Sequence, residues 1–444
     1  MLDAKFIREN PEKVKENIKN RMVSGPQFEV DDFLRVDEKK RLVITEIESL
    51  RALRNKLSGA TGKPSPEVIE EVKKTKEQIK LLEVDLGELD KKWQWHMDWF
   101  PNMLDESVPV GKNESDNVEI KAWSPERGYF GAEELGKKNF SKKWMPKLAF
   151  EGKDHLDLGE SLGIIDNKQS AVVSGSRFTY LKGTATLLQY ALLDHLKERL
   201  LAEGFTPMVV PLMVKKEALF GSSHFPGDEE QVYRIDSKGV EEGTGLYLVG
   251  SSEPALFAYY MGKTVREEDL PQKFFATTTC FRTEVGSWGK DVRGIKRVHQ
   301  FDKLEMDLIC HPSKSQEMHD YLLSLNEWFL QSLEIPYHII LMCSGDAGYF
   351  ATSKKYDFEA WLPKSGEFIE LGSDTNAKEY QARRYNTKWK TRTGETDFVH
   401  TVNDTGCAVG RTIVAILENY QQQNGSVVVP KVLRPYLNGL EVIK

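Results

Sequence analysis

The sequence predicts an α+β fold, with an antiparallel helical hairpin first and a body of antiparallel strands after it. Three observations predict this. Residues 36–57 and 72–93 repeat apolar positions at 3–4 spacing on either side of a turn-rich segment. Residues 274–306 read as two strands around a glycine-rich loop. Residues 400–421 read as strand, turn and helix.

In chain order, residues 1–22 have the pattern of one short amphipathic helix, started by Asp3 and ended by Gly25-Pro26. In the first long helix Val36, Val43, Ile47, Leu50 and Leu57 form a heptad seam, with Lys40 and Arg54 in its polar gaps. In the second the seam is Val72, Ile79, Leu82, Leu86, Leu89 and Trp93. SGATGKPSP (58–66) is the turn. Each arm is about 40 Å long at 1.5 Å per residue. Each buries one stripe only, so the two need each other and should project from the body.

The far half of this hairpin is basic. Residues 51–80 hold Arg51, Arg54, Lys56, Lys63, Lys73, Lys74, Lys76 and Lys80 against Glu67, Glu70, Glu71 and Glu77, a net +4. A basic tip suits phosphate backbones. An ordinary solvated coiled coil would carry the same charges.

The segment after the hairpin reads as a connector, with a stretch near 124–145 rich in Gly, Lys and aromatics that has no functional account. Then SGSRFTYLKG (174–183) reads as strand and turn, Leu187–Leu201 as a helix capped by Gly204, and FTPMVVP as a strand ending at Pro211. GLYLVGSSEPAL (245–256) is a strand entering a small polar turn. KKYDFEAWLPKSGEFIELGSDTNAKEYQARR (354–384) alternates around a Ser-Gly turn.

The stretch CFRTEVGSWGKDVRGIKRVHQFDKLE (280–305) is the most informative. At period two, Arg297, His299, Phe301, Lys303 and Glu305 share one face, and Val298, Gln300, Asp302, Leu304 and Met306 the other. The preceding run ends in Arg282 and Glu284, and the loop between holds Gly286, Gly289, Gly294, Lys290 and Arg293. Arg282 and Arg297 could each grip a phosphate bidentately. Phe301 could stack on a base, Glu284 could accept from an exocyclic amine and Glu305 from an ammonium. Such a set fits a nucleotide beside an amino acid, and a solvated strand face of alternating charge would look the same.

This stretch resembles motif 2 of the class II aminoacyl-tRNA synthetases, in the wording of the seryl-tRNA synthetase family. TGCAVGRTIVAILENYQ (405–421) resembles motif 3 and EGFTPMVVP (203–211) motif 1. The likeness runs from MLDAKFIREN to VPKVLRPYL, with ESVPVGKNESDNVE (106–119) resembling the family's linker. It implies an N-terminal tRNA-binding arm at 1–103, a connector at 104–172 and a class II catalytic domain at 173–444, an antiparallel sheet flanked by helices. It also implies a homodimer built on motif 1, each arm reaching across to the tRNA of the other subunit.

The implied activity is ATP-dependent serine activation and transfer to tRNA(Ser), also to tRNA(Sec) where present, with release of pyrophosphate and AMP. ATP and Mg²⁺ are the implied co-substrate and ion. The resemblance places Ser251, Ser252, Glu253, Arg282, Glu305, Asn403 and Thr405 around serine. It places Arg282, Thr283, Glu284, Arg297, Phe301, Glu370, Leu371, Gly372, Ser373 and Arg411 around ATP, with Glu370 and Ser373 also serving Mg²⁺. Arg51, Arg54, Lys56, Lys73, Lys74 and Lys76 become tRNA contacts on the arm. No obvious side-chain base is needed, in keeping with the lack of a His–Asp or Cys–His constellation.

The chain departs from the family pattern at several points. Ser251 stands for the usual Thr, Gly250 for a proline and Gly372 for the first serine of the ATP segment. Asp374, Thr375 and Ala377 replace Cys, Ser and Cys, and Asp404 replaces glycine, a minor change on its face.

Composition narrows the alternatives. A net charge of −7 over 444 residues excludes sequence-wide attachment to nucleic acid and leaves room for a local patch. Four scattered cysteines exclude a disulfide framework and suit a reducing cytosol, so a cytoplasmic location is expected. No apolar run reaches membrane-spanning length. A paralogue that loads a carrier protein would lack the arm. A non-catalytic relative would have lost Arg282, Arg297 and Arg411, and all three are present.

Overall fold

A computed structural model describes residues 1–58, 65–130, 140–235, 245–286 and 293–444. Lys63, Gly289, Lys290, most of the 58–66 turn and part of the 124–145 stretch lie outside the described residues. The chain forms two compact units, Met1–Met103 and Leu104–Lys444.

The first unit opens with two helices where one was expected. Asp3 caps α1 (Ala4–Glu9) through Lys5, and α2 spans Pro11–Asn20. Pro11 has no amide hydrogen to extend α1, but it suits the first position of α2. α3 (Val30–Ser58) and α4 (Pro66–Trp99) form the hairpin. Val36, Ile47 and Ile79 are buried along its seam. The polar gap at Lys40 is closed by an ion pair with Asp90 (2.9 Å), the ammonium lying 4.0 Å from the Trp93 ring. Buried Asp37 anchors the base by accepting from Arg8, Arg41 and Trp93.

The second unit is built on a sheet whose nine strands, among the described residues, we number β1–β9. They are β1 (Val118–Ser124), β2 (Gly128–Phe130), β3 (Thr206–Pro207), β4 (Gln272–Phe281), β5 (Gln300–Cys310), β6 (Tyr337–Leu341), β7 (Lys354–Leu362), β8 (Glu367–Lys378) and β9 (His400–Ala408). Their order is β2-β1-β6-β7-β8-β9-β5-β4-β3. All pairs are antiparallel except β3–β4. Residues 104–172, expected as a connector, are thus woven into the body through β1 and β2. The strand signal at 118–124 is short and its partner β6 is remote in sequence, so the pairing was not legible locally. The described ends of the 124–145 stretch pack on this edge: Phe130 and Met145 form a small apolar cluster with Ala122 and Trp361, and Ser141 donates its amide to Glu119.

One face of the sheet is covered by the helices Thr184–Ala202, Ser315–Ser332 and Val409–Tyr420. Leu188, Leu196, Leu322, Phe329, Ile413 and Leu417 from these helices meet Leu304, Met306 and Leu308 of β5 in the main core. The period-two reading therefore holds within β5. Exposure differs from expectation, since the Lys303 and Glu305 side chains on the other face are only 7% and 4% exposed. Another difference is at motif 3, where β9 runs directly into the helix at Val409 without an intervening turn.

Candidate active site

Two adjoining cavities open on the side of β5 that carries Phe301, Lys303 and Glu305. The larger, about 510 Å³, is walled by Ser251, Glu253, Arg282, Lys303, Glu305, Asn403 and Thr405, and also by Glu370 and Ser373. The smaller, about 70 Å³, is walled by Arg282, Glu284, Arg297, Phe301, Glu370, Leu371, Gly372 and Arg411. Arg282, Lys303, Glu370 and Thr405 line both. β5 and β9 bring Glu305 opposite Thr405 through a register shift at Leu304, and so put residues 100 positions apart on one wall.

The larger cavity is rich in buried carboxylates. Lys303 forms an ion pair with Glu305 and donates to Ser251 Oγ at 3.0 Å. Glu253 Oε1 accepts from Gln381 Nε2 (2.6 Å) and Asn403 Nδ2 (3.1 Å). Burial and the nearby Glu305 charge push the Glu253 carboxyl up to about 7. Asp307 follows on the same strand face, and burial with the charges of Glu305 and Glu253 holds it well above the usual range.

The smaller cavity is cationic. Arg282 Nε donates to Gly250 O (3.1 Å), which fixes the guanidinium across the face of Phe301, 5.5 Å from the ring centre. Arg411, in the first turn of its helix, donates to Lys296 O (3.2 Å) and Glu370 O (2.8 Å) and lies 3.4 Å from the Glu370 carboxylate. Burial opposes ionisation of Glu370, but Arg411, Lys355 and Arg282 outweigh it and bring the carboxyl down to about 2. Ser373 Oγ donates to Asp357 at 2.7 Å.

Two predicted residues lie off these walls. Ser252 is fully buried behind the turn, and Thr283 spends its hydroxyl on Glu230 O. On the arm, Arg51 pairs with Glu83 across the hairpin (2.7 Å) and Arg54 donates to Asn55 (3.2 Å), while Lys56, Lys73, Lys74 and Lys76 are exposed.

The departure at Gly372 has a steric cause. A Cβ there would come within 2.6 Å of both Thr405 Cβ and Phe358 Cζ, so the space a serine would use is already filled. Asp404 is more than a minor change. It is fully buried on the helix-covered face, accepts from Asn326 at 2.5 Å and sits opposite Asp374 in the β8–β9 pairing. Sequence reasoning placed Lys303 on the right face without a role, and missed the loops 222–228 and 348–352 as cavity walls. The Ser222–His224 pair, two residues apart, was the available signal.

Comparison with known proteins agrees with this geometry. The family model "Seryl-tRNA synthetase N-terminal domain" matches residues 1–104, and "tRNA synthetase class II core domain (G, H, P, S and T)" matches 233–420. A serine--tRNA ligase of Dictyoglomus turgidum is 40% identical over 447 aligned residues, covering 100% of this chain and 99% of that protein. A solved seryl-tRNA synthetase of Pyrococcus horikoshii, complexed with ATP, superposes with TM-score 0.88 at 38% identity, covering 100% of this chain and 99% of the other. A cytoplasmic serine-tRNA ligase of Naegleria fowleri in complex with AMP gives 0.83 at 31% identity, with the same coverage. Taken with the motif residues gathered around the two cavities, these full-length likenesses show that the chain belongs to the seryl-tRNA synthetase family, the serine–tRNA ligases of class II.

Proposed function

We propose that this chain activates L-serine with ATP to seryl-adenylate, releasing pyrophosphate, and then passes the seryl group to tRNA(Ser), and to tRNA(Sec) where present, releasing AMP. The observation that carries the reading is the sharing of Arg282 between a cationic, Phe301-lined cavity and a carboxylate-lined one. A nucleotide in the first and an amino acid in the second meet at that guanidinium.

The serine carboxylate attacks the α-phosphorus as the bond to pyrophosphate breaks. Several negative charges must approach, so positioning and neutralisation dominate over proton transfer. Arg282, its Nε held by Gly250 O, bridges carboxylate and α-phosphate. Arg297 and Arg411 hold the phosphate tail. Phe301 and Arg411 sandwich adenine, and Glu284 reads its amine. Thr283, Leu371 and Gly372 support these contacts from the backbone side.

Glu370, ionised at neutral pH, and Ser373, whose hydroxyl proton goes to Asp357, present hard oxygen donors to the cavity. That set fits Mg²⁺. Bound there with ATP, the ion supplies further positive charge to the phosphates.

An ammonium between Glu253 and Glu305 offsets their mutual repulsion, which suits the serine amino group, with Ser251 beside it. Glu305 and Thr405 meet the side-chain hydroxyl. Alanine and glycine leave those groups unpaired, a penalty of about four orders of magnitude in comparable hydroxyl-reading sites.

The arm's exposed Lys56, Lys73, Lys74 and Lys76, with Arg51 and Arg54, are suited to tRNA phosphates. A homodimer is favoured by exposed apolar side chains of the motif 1 region: Leu187, Tyr190 and Leu201 of the helix, and Val209 after β3. Among the described residues no helix is long and apolar enough to cross a membrane, and the four cysteines are free. We place the enzyme in the cytoplasm on that chemistry.

The test is ATP–pyrophosphate exchange with serine, threonine, alanine, glycine and cysteine, each alone. Exchange with serine far above the others is expected, and preference for another amino acid would overturn the reading. Deleting residues 30–98 should spare exchange and cripple tRNA charging. Equal loss of both would make the arm purely structural.

A further inference from the structure

The larger cavity extends past the serine pocket. Beyond Arg282 and Lys303 it continues between the loops 222–228 and 348–352. Neither loop supplies a residue assigned above to serine or ATP. At about 510 Å³ the cavity is in the range of sites for drug-sized ligands, well beyond one amino acid. This lobe therefore has room for another substrate group beside the carboxyl that reacts.

His224 stands in the lobe, 5% exposed, its ring 4.8 Å from that of Tyr349. Its Nδ1 is 2.8 Å from Ser222 Oγ. The Ser222 hydroxyl has one proton, and the carbonyls of Leu219 and Ala218 lie within reach at 3.1 and 3.3 Å. Donating to them, the hydroxyl becomes the acceptor for Nδ1–H. That tautomer puts the lone pair on Nε2. The arrangement is braced: Gln381 Nε2 holds the Ser222 carbonyl at 3.1 Å and binds Glu253 of the serine pocket with the same nitrogen.

We propose that His224 is the base of the transfer step, its Nε2 taking the proton of the terminal ribose hydroxyl of tRNA. This rests on the function proposed above and adds a catalytic residue to it. The hydroxyl oxygen attacks the carbonyl carbon of seryl-adenylate and forms the ester bond. The bond from that carbon to the phosphate oxygen breaks, and its electron pair leaves on AMP. The proton stays on His224 until solvent removes it. Burial, with the charges of Arg282 and Lys303, brings the imidazole down to about 3, which keeps its ring neutral at the cost of basicity. The adenylate phosphate on Arg282 offsets part of that field and raises its basicity when the tRNA is in place. His224 in this proposal supplies a side-chain base to a transfer step for which none was expected from the sequence.

The test separates the two steps. In single turnovers from preformed seryl-adenylate, H224A and H224Q should both slow transfer to tRNA by at least about 100-fold, the usual contribution of general base catalysis. Serine-dependent pyrophosphate exchange should stay within about threefold of the unsubstituted chain, reporting an intact fold and activation site. Unchanged transfer would overturn the proposal. So would a wild-type rate in H224Q, which keeps a hydrogen bond without basicity, or an equal loss of exchange and transfer. Absence of serine-dependent exchange in the unsubstituted chain would overturn the underlying function instead.

Discussion

The central sheet buries carboxylates on both faces and treats them differently. On the cavity face, Glu305 is matched by Lys303, and Glu253 is held by Gln381 and Asn403. On the helix-covered face, the helix Ser315–Ser332 brings Asn326 to Asp404, and His319 and Asp320 to Asp374, with no cation among them at neutral pH. Burial pushes His319 down to about 4, so it brings no charge at neutral pH. Both aspartates are held well above the usual carboxylate range, first by burial and then by neighbouring carboxylates. The comparison teaches that burial pushes an acid up unless several cations outweigh it, as Arg411, Lys355 and Arg282 do at Glu370 and as nothing does at Asp374 and Asp404. The cavity-face carboxylates can recognise an ammonium, and the buried aspartate pair is a burden on stability.

Four substitutions break or sharpen this contrast, the largest effect first. E305A removes the carboxylate and strands Lys303. Serine-dependent pyrophosphate exchange should fall by about 10³-fold or more, as expected of a site built to read a hydroxyl and an ammonium. Retained exchange would sink the assignment. K303M leaves Glu305 buried without its cation, at a cost of about 2–5 kcal/mol. A loss of roughly 100-fold in kcat/KM for serine, with KM for ATP little changed, is the expected steady-state result. A matching loss for ATP would mean that Lys303 serves the nucleotide.

G372S restores the side chain usual in the family but drives it into Thr405 and Phe358. Overpacking of this kind costs about 1–3 kcal/mol, so KM for ATP should rise about tenfold. The smallest effect belongs to the other face. Asp374 and Asp404 keep protons in the folded chain that the unfolded chain gives up near pH 4, so their contribution to stability is lost as pH rises toward the folded value. D374N should therefore stabilise the protein by about 1–3 kcal/mol. Calorimetry should show a larger gain in Tm at pH 8 than at pH 5, and the reverse order would mean that Asp374 is ionised in the fold.

The legible parts of this protein are periodic or contiguous. The α3–α4 seam, the alternation along β5 and the run from β9 into the helix at Val409 each announce themselves, because helix and strand repeat at fixed intervals. Arg282, Phe301 and Glu305 were found for the same reason. The edge strand β1 was read as connector because its partner β6 is far along the chain. Lys303 was seen as one more charge on a strand, since burial cannot be read from alternation when both faces of a sheet are covered. His224 passed unnoticed because Tyr349, far along the chain, meets its ring only in the fold, and the Ser222 spacing alone was too weak a signal.

By itself, then, the sequence determined the helical arm, the strand and helix periods and the family to which the motifs belong, all of which depend on local spacing. Tertiary structure alone decided that Glu305 is a buried, paired charge, that Gly372 leaves room for Thr405 and Phe358, and that Asp374 faces Asp404. It also put His224 into the cavity of Arg282. Burial and charge pairing are properties of neighbours brought together from distant segments, and only the folded chain brings them together.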